Sequence, residues 1–146
     1  MAPNLYTNGY KYLVNLDISR AVLAVMQSKY IESHPGLSFI AGDATQTGWP
    51  DECVDVVIDK GTLQSLLLLR DGVGRCEAFA REMWRVLRPG GKMIQIMGSA
   101  GMQMYLKLAD LPWSVRHKTV PRNGIGGKAN IFTFIKPWAG PVVLGQ

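Results

Sequence analysis

Three aspartates stand where a carboxylate can do chemistry: Asp17, Asp43 and Asp59. Each follows a strand-like apolar run: Tyr12 to Leu16 before Asp17, Leu37 to Ala41 before Gly42-Asp43, and Cys53 to Ile58 before Asp59. In an open parallel α/β sheet the carboxyl ends of the strands lie along one edge, and ligands bind there. A carboxylate after the first of these strands suits a ribose, because it accepts hydrogen bonds from both hydroxyls. One aspartate after a strand commonly does no more than form a turn or cap a helix. Three in register point together to a nucleotide-like ligand. Asp59 is followed by Lys60-Gly61-Thr62, where glycine leaves the backbone bare.

The elements that must position these groups alternate between strand and helix, the signature of a mostly parallel sheet. After the strand Tyr12 to Asp17, Ser19 sits at an N-cap position, and Val22, Val25, Met26 and Tyr30 recur at helical spacing. Pro35-Gly36 stops that helix before the strand Leu37 to Ala41. The strand Cys53 to Ile58 leads into a short helix, Leu63 to Leu69, broken by Arg70-Asp71-Gly72. A longer helix spans about Gly74 to Leu87, with Phe79, Met83, Val86 and Leu87 on one face and the pair Glu77/Arg81 on the polar face. Arg88-Pro89-Gly90-Gly91 turns the chain into the strand Lys92 to Met97. Trp113 to Val120 and Ile131 to Ile135 read as an antiparallel hairpin around the turn-rich stretch Pro121 to Lys128.

With 146 residues, 47% of them hydrophobic and 18% charged, the chain fits one globular domain rather than a disordered segment. No apolar run approaches the roughly 20 residues that span a bilayer, and the N-terminus lacks the pattern of a secretory signal. Membrane partners are therefore not expected. Cys53 and Cys76 are not spaced as a metal site or a disulfide framework, which suggests a reducing compartment, the cytoplasm. No metal is expected. The net charge of +5 is scattered, without a dense basic block interleaved with aromatics, so a basic surface is favoured over nucleic-acid binding.

The wording of the motifs carries a resemblance. Asn15-Leu16-Asp17-Ile18-Ser19, Gly42-Asp43-Ala44-Thr45, Val57-Ile58-Asp59-Lys60-Gly61-Thr62-Leu63 and Arg85-Val86-Leu87-Arg88-Pro89-Gly90-Gly91-Lys92 occur in the order seen in class I S-adenosylmethionine-dependent methyltransferases. Asp-Lys-Gly-Thr-Leu is the most specific part. It resembles the group containing lysine methyltransferases of translation elongation factor one-alpha and the methyltransferase domain linked to some endothelin-converting enzymes. The resemblance runs from about Leu5 to Lys136, with 1–136 as a partial methyltransferase domain and 137–146 as a C-terminal tail. It implies S-adenosylmethionine as cofactor and a protein substrate, a translation factor among them. Asp17 would hold the ribose hydroxyls, Ile18 would pack on the adenine, Asp43 would accept from the adenine amino group, and the Ala44 N–H would meet a ring nitrogen. Asp59 and the Lys60-Gly61 backbone would border the methionine end and the entry of the target amine, with Asp59, Gly61 and Thr62 forming the catalytic turn.

The chemistry implied is transfer of a methyl group from a sulfonium to a lysine amine, which needs little beyond alignment; alignment alone can supply about 7–11 kcal/mol. The amine must first lose its proton, which a desolvated pocket or a carboxylate can arrange. The resemblance also implies a Rossmann-like sheet opening on a strand and a glycine-rich turn, and no Gly-x-Gly precedes Tyr12. The expected sheet therefore lacks its first, central strand and that loop, with Leu5 to Gly9 as the end of the first helix. Gly98 to Gly101 and Asn123 to Lys128 are glycine-rich but misplaced for that loop. The chain reads as N-terminally truncated, with unpaired strand edges open to self-association. Two alternatives follow: a non-catalytic remnant acting as a binding or regulatory module, and a methyltransferase for a small molecule or nucleic acid. Against a base as acceptor, Asp59-Lys60-Gly61-Thr62 stands where an Asn/Asp-Pro-Pro-aromatic motif would stack the ring.

Overall fold

In a computed structural model, residues 1–97, 111–121 and 127–138 are described. They divide into two compact units, Met1–Thr47 and the part beginning at Gly48. Gly98 to Gly101, most of the loop Asn123 to Lys128, and the tail beyond Trp138 lie outside the described residues.

The first unit holds α1 (Ala2–Thr7), β1 (Leu13–Asp17), α2 (Arg20–Tyr30) and β2 (Leu37–Ala41). Ser19 caps α2 as its sequence position suggests: it is extended, and its Oγ accepts from the Val22 N–H at 3.3 Å. β1 and β2 pair in parallel, Leu13 opposite Leu37 and Asp17 opposite Ala41. The helical face read from Val22, Val25 and Met26 is not the buried one. Leu23 is the residue of α2 that is buried, while Val25 is 68% exposed and lines a shallow apolar groove with Ala21, Val22 and Met26. The spacing is helical in both cases; which stripe is covered depends on the strands beside it, and here β1 and β2 meet the Leu23 side.

The second unit holds β3 (Val54–Asp59), α3 (Thr62–Leu67), α4 (Gly72–Val86), β4 (Leu87–Met97), β5 (Ser114–Pro121) and β6 (Lys128–Ile135). Its strand order is β3-β4-β6-β5, with β3 parallel to β4 and the other neighbours antiparallel. The expected hairpin is present, and β6 lies between β4 and β5. Along β4 burial alternates, so that Met93, Gln95 and Met97 share the buried side with Phe132 and Phe134 of β6. α4 contributes Cys76, Phe79, Met83 and Val86 to the same core, each apolar side chain adding about 1.5–3 kcal/mol when fully buried. The predicted face Phe79, Met83, Val86 and Leu87 is thus the buried one.

Two local expectations give way to the packing. The ion pair on α4 is not Glu77/Arg81; the Arg85 guanidinium instead grips Glu82 and Asp51, whose hydrogen bonds raise it above its ordinary value. The turn Arg88 to Gly91 is absorbed into β4 as a bulge, the register jumping from Val54–Leu87 to Val56–Lys92. Gly90 makes this feasible, with φ +77° and the Trp138 indole close above it.

The ladders fall into two sheets, β1-β2 and β3-β4-β6-β5.

Candidate active site

Each unit carries its own half of the predicted site. In the first, parallel pairing brings the ends of β1 and β2 side by side, and the Gly42 N–H donates to the Asp17 carbonyl at 3.0 Å. Asp17 is exposed at the end of β1. Its Oδ1 accepts from the Ser19 N–H at 2.8 Å, and its Oδ2 has no partner among the described residues. The next side chain, Ile18, is 78% exposed. An anchored carboxylate with one uncommitted oxygen beside a bare apolar surface fits a ribose and a flat base. Asp43, two residues beyond β2, is half-buried. Its Oδ1 accepts from both the backbone N–H and the hydroxyl of Thr45, at 2.8 and 2.7 Å, which shapes the turn carrying Ala44.

In the second unit β3 ends at Asp59, which is 4% exposed. A buried carboxylate is costly without partners, and this one has two. The Thr62 backbone N–H donates to Oδ1 at 2.9 Å, and Gln95 Nε2 donates to Oδ2 at 3.0 Å. Between Asp59 and Thr62, Lys60 is exposed and Gly61 is left-handed, with φ +100° and ψ −13°. A β-carbon built on Gly61 would meet nothing within 4 Å, so the conformation requires glycine while the space above it stays open. The sequence had suggested only the second reason. Cys76 is buried with its Sγ donating to the Leu63 carbonyl at 3.6 Å. Burial, and then the Asp59 charge, push its thiol above the ordinary value, so it is held protonated and unreactive. Cys53 is exposed, and neither cysteine is in a disulfide.

Gln95 escaped notice in the sequence. The one signal was a polar residue two positions from Met93 and from Met97 in an apolar strand; its register with Asp59 belongs to the structure. Lys136 also escaped; it is buried, with Nζ donating to the Leu87 and Trp84 carbonyls and to Glu52.

Parallel strands ending at aspartates in the first unit, and a strand ending in a carboxylate-anchored turn in the second, are the elements expected of a class I S-adenosylmethionine-dependent methyltransferase. Comparison with known proteins agrees: a model of the methyltransferase domain family matches residues 1–95, and the chain belongs to that family, whose cofactor is S-adenosylmethionine. An eEF1A lysine and N-terminal methyltransferase of Danio rerio is 39% identical over 111 residues, 75% of this chain and 15% of that protein. The EEF1A lysine methyltransferase 4 of Bos taurus is 30% identical over 125 residues, 79% of this chain and 49% of that protein. The chain thus spans a minor part of the first relative and about half of the second.

Solved structures agree on the fold. A methyltransferase from Methanosarcina mazei superposes with a TM-score of 0.71 at 14% identity, covering 94% of this chain and 87% of that one. The Burkholderia thailandensis 1,6-didemethyltoxoflavin-N1-methyltransferase, solved with S-adenosylhomocysteine, gives 0.66 at 16% identity, covering 93% and 65%. Among the described residues no helix is long and apolar enough to cross a membrane.

Proposed function

We propose that this chain, with 1–136 as its methyltransferase domain, takes part in methylation of a lysine side chain on a protein, a translation factor of the elongation factor one-alpha type in the cytoplasm. The observation that carries this reading is the Asp59–Thr62 turn: a buried carboxylate fixed at both oxygens beside an open, glycine-built backbone. The relatives named for eEF1A lysine methylation supply the substrate class. When bound, S-adenosylmethionine supplies an already activated methyl group.

The work left to the chain is binding, orientation and handling of the amine proton. Asp17 holds the ribose hydroxyls through its uncommitted Oδ2, Ile18 covers the adenine, and Asp43 and the Ala44 N–H read the adenine edge. Asp59 accepts N–H hydrogen bonds from the incoming lysine amine and orients its lone pair, while desolvation of the amine on entry favours its neutral, nucleophilic form. Gly61 and the Lys60 backbone leave room for the two partners to meet, and the Thr62 N–H holds Asp59 in place.

Isothermal titration with S-adenosylhomocysteine tests the reading at its base: folded chain that gives no heat of binding refutes it. With binding established, incubation with labelled cofactor and recombinant eEF1A should label lysine. The alternative reading, a binding module, is favoured by one observation: β1 and β3 each pair on one side only among the described residues. Such edges recruit strands from another copy or another protein. A cofactor-silent chain that elutes as a stable dimer would favour it.

A further inference from the structure

The layer beneath Asp59 contains a residue whose type is at odds with its surroundings. Gln95 is 2% exposed, on a strand whose neighbouring inward positions are Met93 and Met97. An amide placed in such a layer is destabilising unless it is hydrogen-bonded. Gln95 finds its partner directly across the ladder, where Asp59 and Gln95 are paired in register and their side chains leave the same face. Only the NH₂ end of the amide can donate, so the group is oriented by the carboxylate it holds.

Asp59 is thereby gripped from opposite sides. The Thr62 N–H fixes Oδ1 from the turn that follows, and Gln95 Nε2 fixes Oδ2 from the neighbouring strand. The terminal torsion of an aspartate is otherwise broad, and one donor alone would leave the carboxylate plane free to swing. Two donors leave each oxygen with a remaining lone pair in a set direction.

We propose that Gln95 is a positioning residue for methyl transfer: it locks the Asp59 carboxylate so that its remaining lone pairs face the transferred group and the acceptor amine. It acts through Asp59 and touches neither partner. The proposal rests on the reading of Asp59–Thr62 as the acceptor-side turn. No bond is made or broken by Gln95; it transmits geometry.

The test uses the full chain and two ligands. Sinefungin carries an ammonium where the donor carries its methylsulfonium; S-adenosylhomocysteine carries nothing there. Their affinity ratio, measured by titration calorimetry, reads the carboxylate without requiring turnover. The wild-type chain should prefer sinefungin, and Gln95→Met, which fills the same space between two methionines, should cut that preference about tenfold. Its affinity for S-adenosylhomocysteine should change less than about twofold, and its thermal midpoint should fall modestly, because the buried Asp59 Oδ2 loses its donor. In turnover with recombinant eEF1A the same variant should lower kcat and leave the acceptor KM unchanged, a split that general loosening of the core would not produce. An unchanged ligand ratio in a folded Gln95→Met chain overturns the role of Gln95 alone. A wild-type chain that binds S-adenosylhomocysteine without preferring sinefungin overturns the assignment of Asp59, and one that binds neither overturns the cofactor reading.

Discussion

Replacing Lys136 by methionine should destabilise the second unit by about 3–5 kcal/mol, because of what its ammonium caps. The last carbonyls of a helix lack intrahelical partners, and α4 ends at Val86. Lys136 Nζ donates to the Leu87 carbonyl at 2.7 Å and the Trp84 carbonyl at 3.0 Å, and its third donor reaches Glu52 at 3.2 Å. With the residue 8% exposed, the two carbonyl bonds are charge-assisted and nearly dry, about 1.5–3 kcal/mol each. The half-exposed Glu52 adds only about 0.2–1 kcal/mol after solvent screening. The ammonium also complements the negative end of the helix.

Methionine keeps the stem's packing and removes the charge, leaving two carbonyls without a donor. Against a total stability of about 5–15 kcal/mol, such a loss is large. The assay is urea unfolding followed by tryptophan emission, since the Trp84 ring lies 5.4 Å from Nζ. At about 1–3 kcal/mol per molar urea the midpoint should fall by about 2 M, whereas Glu52→Gln should lower stability by under about 1 kcal/mol. A Lys136→Met chain within about 0.5 kcal/mol of wild type would refute the reasoning, showing that water or a shifted backbone satisfies those carbonyls.

Further outcomes follow from the site. Asp17→Ala should weaken S-adenosylhomocysteine binding about tenfold or more by calorimetry with an unchanged melting curve, since the side chain is exposed and holds only its own turn. Gly61→Ala should cost about 1–2 kcal/mol by thermal denaturation, because φ +100° strains any β-carbon even where space is free. Under native conditions at pH 8 a thiol reagent should modify Cys53 and spare Cys76, with both reacting after denaturation; mass spectrometry counts the adducts. The raised Cys76 thiol also sets a pH slope. Above the ordinary thiol value of 9.0 the unfolded chain releases a proton that the folded chain keeps, so stability should fall as pH rises there. Cys76→Ala should remove that slope, as read from urea midpoints across the range.

What was legible in the sequence shares one property: it is short-range. The apolar strand-like runs at Leu13–Asp17 and Val54–Asp59, the Ser19 cap, and the buried face of α4 at Phe79, Met83 and Val86 are written in residues a few positions apart. The Asp59–Thr62 turn belongs with them, since its hydrogen bond closes over three residues. The structure alone decided which pairs meet across the chain. Gln95 acquires a role only when β3 and β4 align it with Asp59, 36 residues away, and Lys136 only when β6 delivers it to the end of α4. The same holds for α2: helical spacing named an apolar stripe, but the strands beside it chose Leu23 and left Val25 bare. Local propensity and periodicity report the elements, the apolar face of a strongly patterned helix and the turns that carry chemistry; which surfaces and side chains meet is decided by packing between segments distant in sequence.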